Sequence, residues 1–294
     1  MKVSAVDRRG FLAGAASFAA FPSGASMAQE AVGLKLRFLG TGAADWKGPD
    51  PKLGHRRLSS VLLDGRVLID FTASARDMLP DGCRPEAIFY THSHRDHYDP
   101  EAALALGIRR VYCHESWAAS AKAEFAAFAK GRPVPSVASV CFGSPVEECG
   151  VILTAVPANH ATARPGEHAA MYLAEKGATR LLYASDTAGI PAEAARIVGI
   201  DAHDRPGKPI TALVMEATMG VDYPDDWRLF AHSDVALVAQ TVRVLVATKR
   251  YLPPPGRPVY LTHMARMLHG THEDTASRVP APLAPAYDGL EVVF

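Results

Sequence analysis

Thr91-His92-Ser93-His94-Arg95-Asp96-His97 sets three imidazoles and a carboxylate within six positions, directly after the apolar run Ala87-Ile88-Phe89-Tyr90. That supply of nitrogen and oxygen donors exceeds what one tetrahedral ion takes, so the spacing points to two adjacent metal sites. Alternate side chains of an extended segment share a face. His92 and His94 can therefore address one ion, while Asp96 and His97, beyond the strand end, turn toward another. An ordinary solvated turn recruits Gly, Asn, Asp and Pro rather than three histidines.

The cluster has to be held by a scaffold, and the hydropathy pattern supplies one. Short strand-like runs cover residues 34–39, 60–63, 66–71, 87–90 and 109–113, with Asp64-Gly65 between the second and third reading as a two-residue hairpin turn. Helices are expected at 102–106, where Asp99 offers an N-cap and Pro100 a first helical position, and over the alanine-rich 116–130, ending at Gly131. A second half repeats the alternation: strands at 151–156, 171–174, 181–184, 212–215 and 259–262, helices at 191–198 and 233–248. Pro253-Pro254-Pro255-Gly256 is a stiff spacer too short to link domains. Periodicity alone is compatible with several layered α/β folds.

The histidine cluster resembles the signature of the metallo-β-lactamase-fold hydrolases, and the chain supplies that family's other ligands in order. Asn159-His160 follows the run 151–156, Asp186 ends 181–185, and His263 ends 259–262. Each closes an apolar run, as expected where buried strands deliver polar side chains to a common rim and spare them deep burial. The resemblance implies an α/β fold, a four-layer αββα sandwich. It also implies His92, His94 and His160 at a first divalent ion, Asp96, His97 and His263 at a second, and Asp186 bridging. A bridging hydroxide would then be the nucleophile, with Asp96 and Asp186 supplying the anionic charge that holds the dications close. Zinc suits this imidazole and carboxylate set, and without thiolates manganese and iron suit it as well.

Further motifs resemble one branch of the family. Phe38-Leu39-Gly40-Thr41-Gly42 looks like the opening of its phosphodiesterases, among them tRNA 3′-processing endonucleases and cyclic phosphodiesterases of phosphonate breakdown. Glu216-Ala217-Thr218 with His232-Ser233 resembles elements of the former, and 286–291 looks like the closing strand of the latter. The resemblance makes His232 the candidate for contacting the scissile phosphate or protonating the leaving oxygen, beside Asp96 in the catalytic set. The plainer reading of His232 is a helix-start residue next to a cap at Ser233. Arg57 can steady a phosphate or lie in a surface loop. His269 and His272 follow the last ligand as rim or solvated loop residues, and His55, His114, His168 and His203 fall outside any matched motif.

The long tRNA-binding arm of those endonucleases has no counterpart, since no separable basic, Gly-rich insert is present. The function classes are thus a phosphodiesterase acting on a small molecule, a lactonase, β-lactamase or other carboxylic ester or amide hydrolase on the same metals, and a non-catalytic carrier. A complete ligand set weighs against the last.

The 294 residues, 48% hydrophobic, suffice for one sizeable core, and 31 basic residues balance 31 acidic ones. No basic surplus advertises nucleic acid, and no apolar stretch reaches membrane-spanning length. Asp7-Arg8-Arg9-Gly10-Phe11-Leu12, the weakly apolar stretch 13–21 and Ser26-Met27-Ala28 look like a twin-arginine signal with an AxA-type cleavage site. Residues 1–28 are accordingly expected to be a signal peptide recognised by the twin-arginine machinery, and 29–294 an exported, periplasmic hydrolase domain. Loss of three basic and one acidic residue would leave 28 against 30, a net charge near −2. Cys83, Cys113, Cys141 and Cys149 lack CxxC spacing; Cys141 and Cys149 can pair or remain thiols.

Overall fold

The computed structural model describes residues 33–201 and 207–294. The expected signal peptide and His203 lie outside them. In chain order, β1 (Lys35–Gly40), β2 (Ser60–Leu63), β3 (Val67–Ile69), β4 (Ala87–Phe89), β5 (Arg110–His114) and β6 (Ser136–Val140) build one sheet. A second contains β7 (Pro145–Glu148), β8 (Val151–Pro157), β9 (Ala170–Lys176), β10 (Thr179–Ala184), β11 (Ala212–Glu216), β12 (Val259–Thr262) and β13 (Leu283–Pro285). The chain then returns to the first sheet as β14 (Glu291–Val293), giving the order β14-β1-β2-β3-β4-β5-β6 against β13 through β7 in sequence.

Side-chain alternation divides each strand between two cores. Leu36 and Phe38, Val67 and Ile69, Leu153 and Ala155, Tyr172, and Leu181 and Tyr183 meet between the sheets. The opposite faces carry Leu68, Ile88 and Val111 against helices α1 (Pro100–Leu106) and α2 (Glu115–Ala129). On the other side Leu182, Leu213 and Met215 pack on α3 (Ala192–Val198) and α4 (Val235–Ala247). This is the αββα sandwich the resemblance implied. Helix α2 shows why the arrangement holds: Trp117, Ala121, Phe125 and Ala129 recur every fourth residue and form its buried stripe.

Local chemistry explains the boundaries. The Asp99 carboxylate accepts from Ala102 N (3.0 Å), with Pro100 opening α1 and left-handed Gly107 closing it. At the end of α2 the C-cap is Lys130 (φ 46°), and Gly131 after it is also at positive φ (87°). Leu63 pairs with Val67, so the β2–β3 loop has three residues, one more than Asp64-Gly65 suggested. The segment 286–291 is mostly a turn rather than a strand, and only Glu291 enters β14. Edge strands β6 and β7 and the polar helix α5 (His272–Arg278) have no buried face strong enough to mark them in the sequence. Among the described residues no helix is long and apolar enough to cross a membrane.

Candidate metal centre

β10 runs parallel to β11, β11 to β12, and β3 to β4. β8 and β10 are both antiparallel to β9 and so share a direction. The carboxyl ends of these strands converge on one edge of the sandwich, where a strand can end without burying unpaired polar groups. His92 to His97 follow β4, His160 follows β8, Asp186 follows β10 and His263 follows β12. Thr91 O accepts from Ala170 N (2.9 Å), tying the cluster to the second sheet.

All seven expected ligands meet there. His94 Nδ1 lies 2.9 Å from His92 Nε2 and 3.2 Å from His160 Nε2. His97 Nε2 and His263 Nε2 each lie 3.4 Å from Asp96 Oδ2, and 3.2 and 3.3 Å from Asp186 Oδ1. The other oxygen of Asp186, Oδ2, faces the first group, 3.9 Å from His92 Nε2 and 3.7 Å from His160 Nε2. Four ligands bound tetrahedrally at about 2.0–2.1 Å stand about 3.3 Å apart, so these spacings are those of a coordination shell. The buried His97 Nε2 has no hydrogen-bond partner, as expected of an atom whose lone pair is reserved for an ion. The donor set thus fits the divalent metals that the fold implies.

The opposite ring nitrogens fix the tautomers. His97 Nδ1 donates to Asp70 Oδ2 (2.7 Å), and His160 Nδ1 donates to Ala231 O (3.0 Å). His92 Nδ1 lies 2.9 Å from Thr91 Oγ1, which donates to Asp70 Oδ2 (2.8 Å). His263 Nδ1 meets Thr218 Oγ1 (2.8 Å), which donates to Glu216 Oε2 (2.5 Å). Burial keeps His92, His94 and His160 below the usual imidazole range and hence neutral, the form that ligates. For His97 burial acts in the same direction, but Asp186, Asp96 and Asp70 outweigh it and raise the pKa well above the ordinary value.

Asp70, Asp186 and His263 sit at φ 55°, 45° and 53°. Left-handed backbone at a residue with a Cβ costs about 1–3 kcal/mol, so three such residues at one site mark strain that the surrounding sheets hold in place.

His232 lies over this group, its ring 4.7 Å from that of His160 and stacked 5.4 Å from that of His263. Its Nδ1 donates to Glu216 Oε1 (3.0 Å). Burial disfavours the charged ring, but the Glu216 carboxylate more than offsets it and brings the pKa up to about 9. Glu216 itself is fully buried and also accepts from Thr187 N (2.6 Å) and Thr218 N (3.1 Å). One carboxylate thereby orients His232, His263 and the backbone next to Asp186. The cap of α4 is Asp234; Ser233 instead accepts from Gly189 N (3.1 Å) and donates to Thr187 O (2.7 Å).

Other expectations resolve differently. Arg57 is tied to Asp77 through Nε (3.1 Å) and does not line the cleft. His269 turns inward to Ala217 O (2.7 Å), and His272 opens α5. His114 is buried and caps α2, while His168 is exposed. The four cysteines are free thiols. Asp70 and Glu167 escaped the sequence reading. Asp70 closes the run Val67-Leu68-Ile69 just as the ligands close theirs, so the same rule could have found it. Glu167, which holds Ser93 N and Oγ (both 2.6 Å), lies in a loop with no such signal.

A cleft of about 510 Å³ opens over the ligands, lined by Asp96, Asp186, His232, Arg228, Tyr223 and Met267 among others. Residues 66–264 match the β-lactamase superfamily domain, and the chain belongs to that superfamily, with the metal-dependent hydrolase fold. A crystal structure described as a new diphosphatase from the PhnP family is 23% identical, with a TM-score of 0.60, over 89% of this chain and 98% of that one. Zn(2+)-bound PqqB from Methylobacterium extorquens is 17% identical, with a TM-score of 0.65, over 88% and 100%. The metallo-β-lactamase-fold protein YhfI from Bacillus subtilis is 14% identical, with a TM-score of 0.61, over 88% and 99%. Comparison with curated proteins gives no match.

Proposed function

We propose that the chain is an exported phosphodiesterase with two divalent ions, acting on a small molecule and not on nucleic acid. The observation that carries the phosphodiester reading is His232, held cationic by buried Glu216 on the cleft side of the ligands. Two dications in these groups would polarise a phosphoryl oxygen and lower the pKa of the attacking water. His232 then contacts the phosphate or delivers its proton to the leaving oxygen, while Glu216 retains the ring's orientation. Arg228, paired with Asp226 (2.7 Å), also lines the cleft. The alternative, hydrolysis of a lactone, β-lactam or other carboxylic ester or amide, draws on the apolar wall formed by Ala43, Ala265, Met267 and Leu268.

Metal-replete protein is expected to hydrolyse bis(p-nitrophenyl) phosphate. Turnover of lactones or β-lactams with every phosphodiester ignored would reverse the order of the two readings. Export rests on Arg8-Arg9 and Ser26-Met27-Ala28. Replacing both arginines with lysine is expected to leave unprocessed precursor in the cytoplasm, detected by fractionation and intact mass. A double variant that is still exported and trimmed near Gln29 would remove the twin-arginine reading.

A further inference from the structure

His94 is the one imidazole of the first ligand group whose ring lacks an orienting partner. The opposite nitrogens of His92 and His160 are met by Thr91 Oγ1 (2.9 Å) and Ala231 O (3.0 Å). His94 turns its Nδ1 to His92 and His160, and among the described residues no protein atom hydrogen-bonds its Nε2. A ligating imidazole ordinarily takes its orientation from such a partner. For His94 the backbone has to supply it.

That backbone is held from another loop. Glu167, between β8 and β9, accepts from Ser93 N through Oε1 (2.6 Å) and from Ser93 Oγ through Oε2 (2.6 Å). Both carboxylate oxygens therefore grip the residue that separates His92 from His94. The Glu167 side chain is 1% exposed, a depth a carboxylate tolerates when its oxygens are hydrogen-bonded. Arg164 Nε stands 4.0 Å from Oε2. Arg164 in turn donates from Nη2 to Glu124 of α2 (3.0 Å) and lies over the rings of Tyr98 (5.8 Å) and Trp117 (5.7 Å), which fixes the loop against the helix. His160 belongs to the same loop, so one side chain ties together the two segments that supply all three imidazoles of the first group. The second group has anchors of its own, His97 on Asp70 (2.7 Å) and His263 on Thr218 (2.8 Å).

We propose that Glu167 is a positioning residue that presets the spacing of His92, His94 and His160, and thereby sets the affinity of the first group for its ion while leaving that of the second unchanged. The inference rests on the reading of two divalent ions. Zinc titration of metal-free protein against a competing chelator would resolve the two affinities. Glu167→Gln keeps the size of the side chain but only one of its two acceptor oxygens. It is expected to lower one affinity about 10 to 100-fold, the scale of a lost partner behind a ligand, and to leave the other within about twofold. Ser93→Ala, which removes the hydroxyl and keeps the N–H, should lower the same affinity by less. In His94→Ala, where the first group is already broken, adding Glu167→Gln should change the remaining affinity no further. A fall in both affinities, a fall in neither, or a fall that persists in the His94→Ala background would overturn the clamp. Thermal melting of the metal-free proteins checks folding, and if Glu167→Gln does not fold, Ser93→Ala carries the same comparison. A wild type that binds a single equivalent would remove the two-ion reading alone. The clamp would then stand if Glu167→Gln lowers that one affinity and fall if it does not.

Discussion

Asp186→Ala is expected to lose metal from both ligand groups at once and to lower turnover on the order of 10³-fold or more. The reason is geometric. Asp186 Oδ1 lies 3.2 and 3.3 Å from His97 Nε2 and His263 Nε2, whereas Oδ2 faces His92 and His160. The residue is buried, and its carboxylate is the first of the charges that raise the pKa of His97. Elemental analysis of purified variant and wild type, with thermal melting to verify folding, would check this. The wild type should carry close to two equivalents per chain and the variant well under one. A folded Asp186→Ala protein with full metal and full activity would remove the bridging role.

His232→Ala is expected to leave metal content unchanged while turnover of bis(p-nitrophenyl) phosphate falls on the order of 10² to 10⁴-fold, the range for one positioned proton donor. The separation of the two readouts matters. His232 stacks on the ring of His263 and meets that of His160 edge-on, but hydrogen-bonds to Glu216 instead of pointing its Nδ1 at the ligand groups. Because p-nitrophenolate leaves with little help, a loss near the lower end would indicate protonation of the leaving oxygen, and a larger one contact with the phosphoryl oxygens. Glu216→Gln should reproduce part of the loss, since the amide keeps the size of the side chain but no longer holds the ring charged. A His232→Ala enzyme with unaltered kcat would return His232 to the role of a spacer before α4.

The strength of the local signal explains why so much of the centre was legible. Six consecutive positions from His92 to His97 carry four donors, and no folding is needed to bring them together. His160, Asp186 and His263 could be found because each ends an apolar run, and strands that share a direction must finish on one edge. Applied without exception, that rule also selects Asp70. The edge strands β6 and β7 were not legible, because a strand with one neighbour and a mostly exposed face has little hydrophobic pattern to display. The segment 286–291 misled for a different reason: the resemblance offered a strand, but Gly289 at φ 91° favours a turn, and Asp288 is needed to hold Thr41 and Arg57 N.

The sequence by itself determined the chemistry on offer and the alternation of strands and helices, because donor identity and hydropathy periodicity are properties of neighbouring residues. Only the tertiary structure decided how that chemistry is shared. The division of Asp186 between two groups and the convergence of Thr187, Thr218 and His232 on Glu216 each require residues far apart in the chain to meet. The same holds for the left-handed backbone at Asp70, Asp186 and His263. Asp and His enter that conformation more readily than most residues with a Cβ, yet it still costs energy, and at this site two packed sheets and their hydrogen bonds hold it.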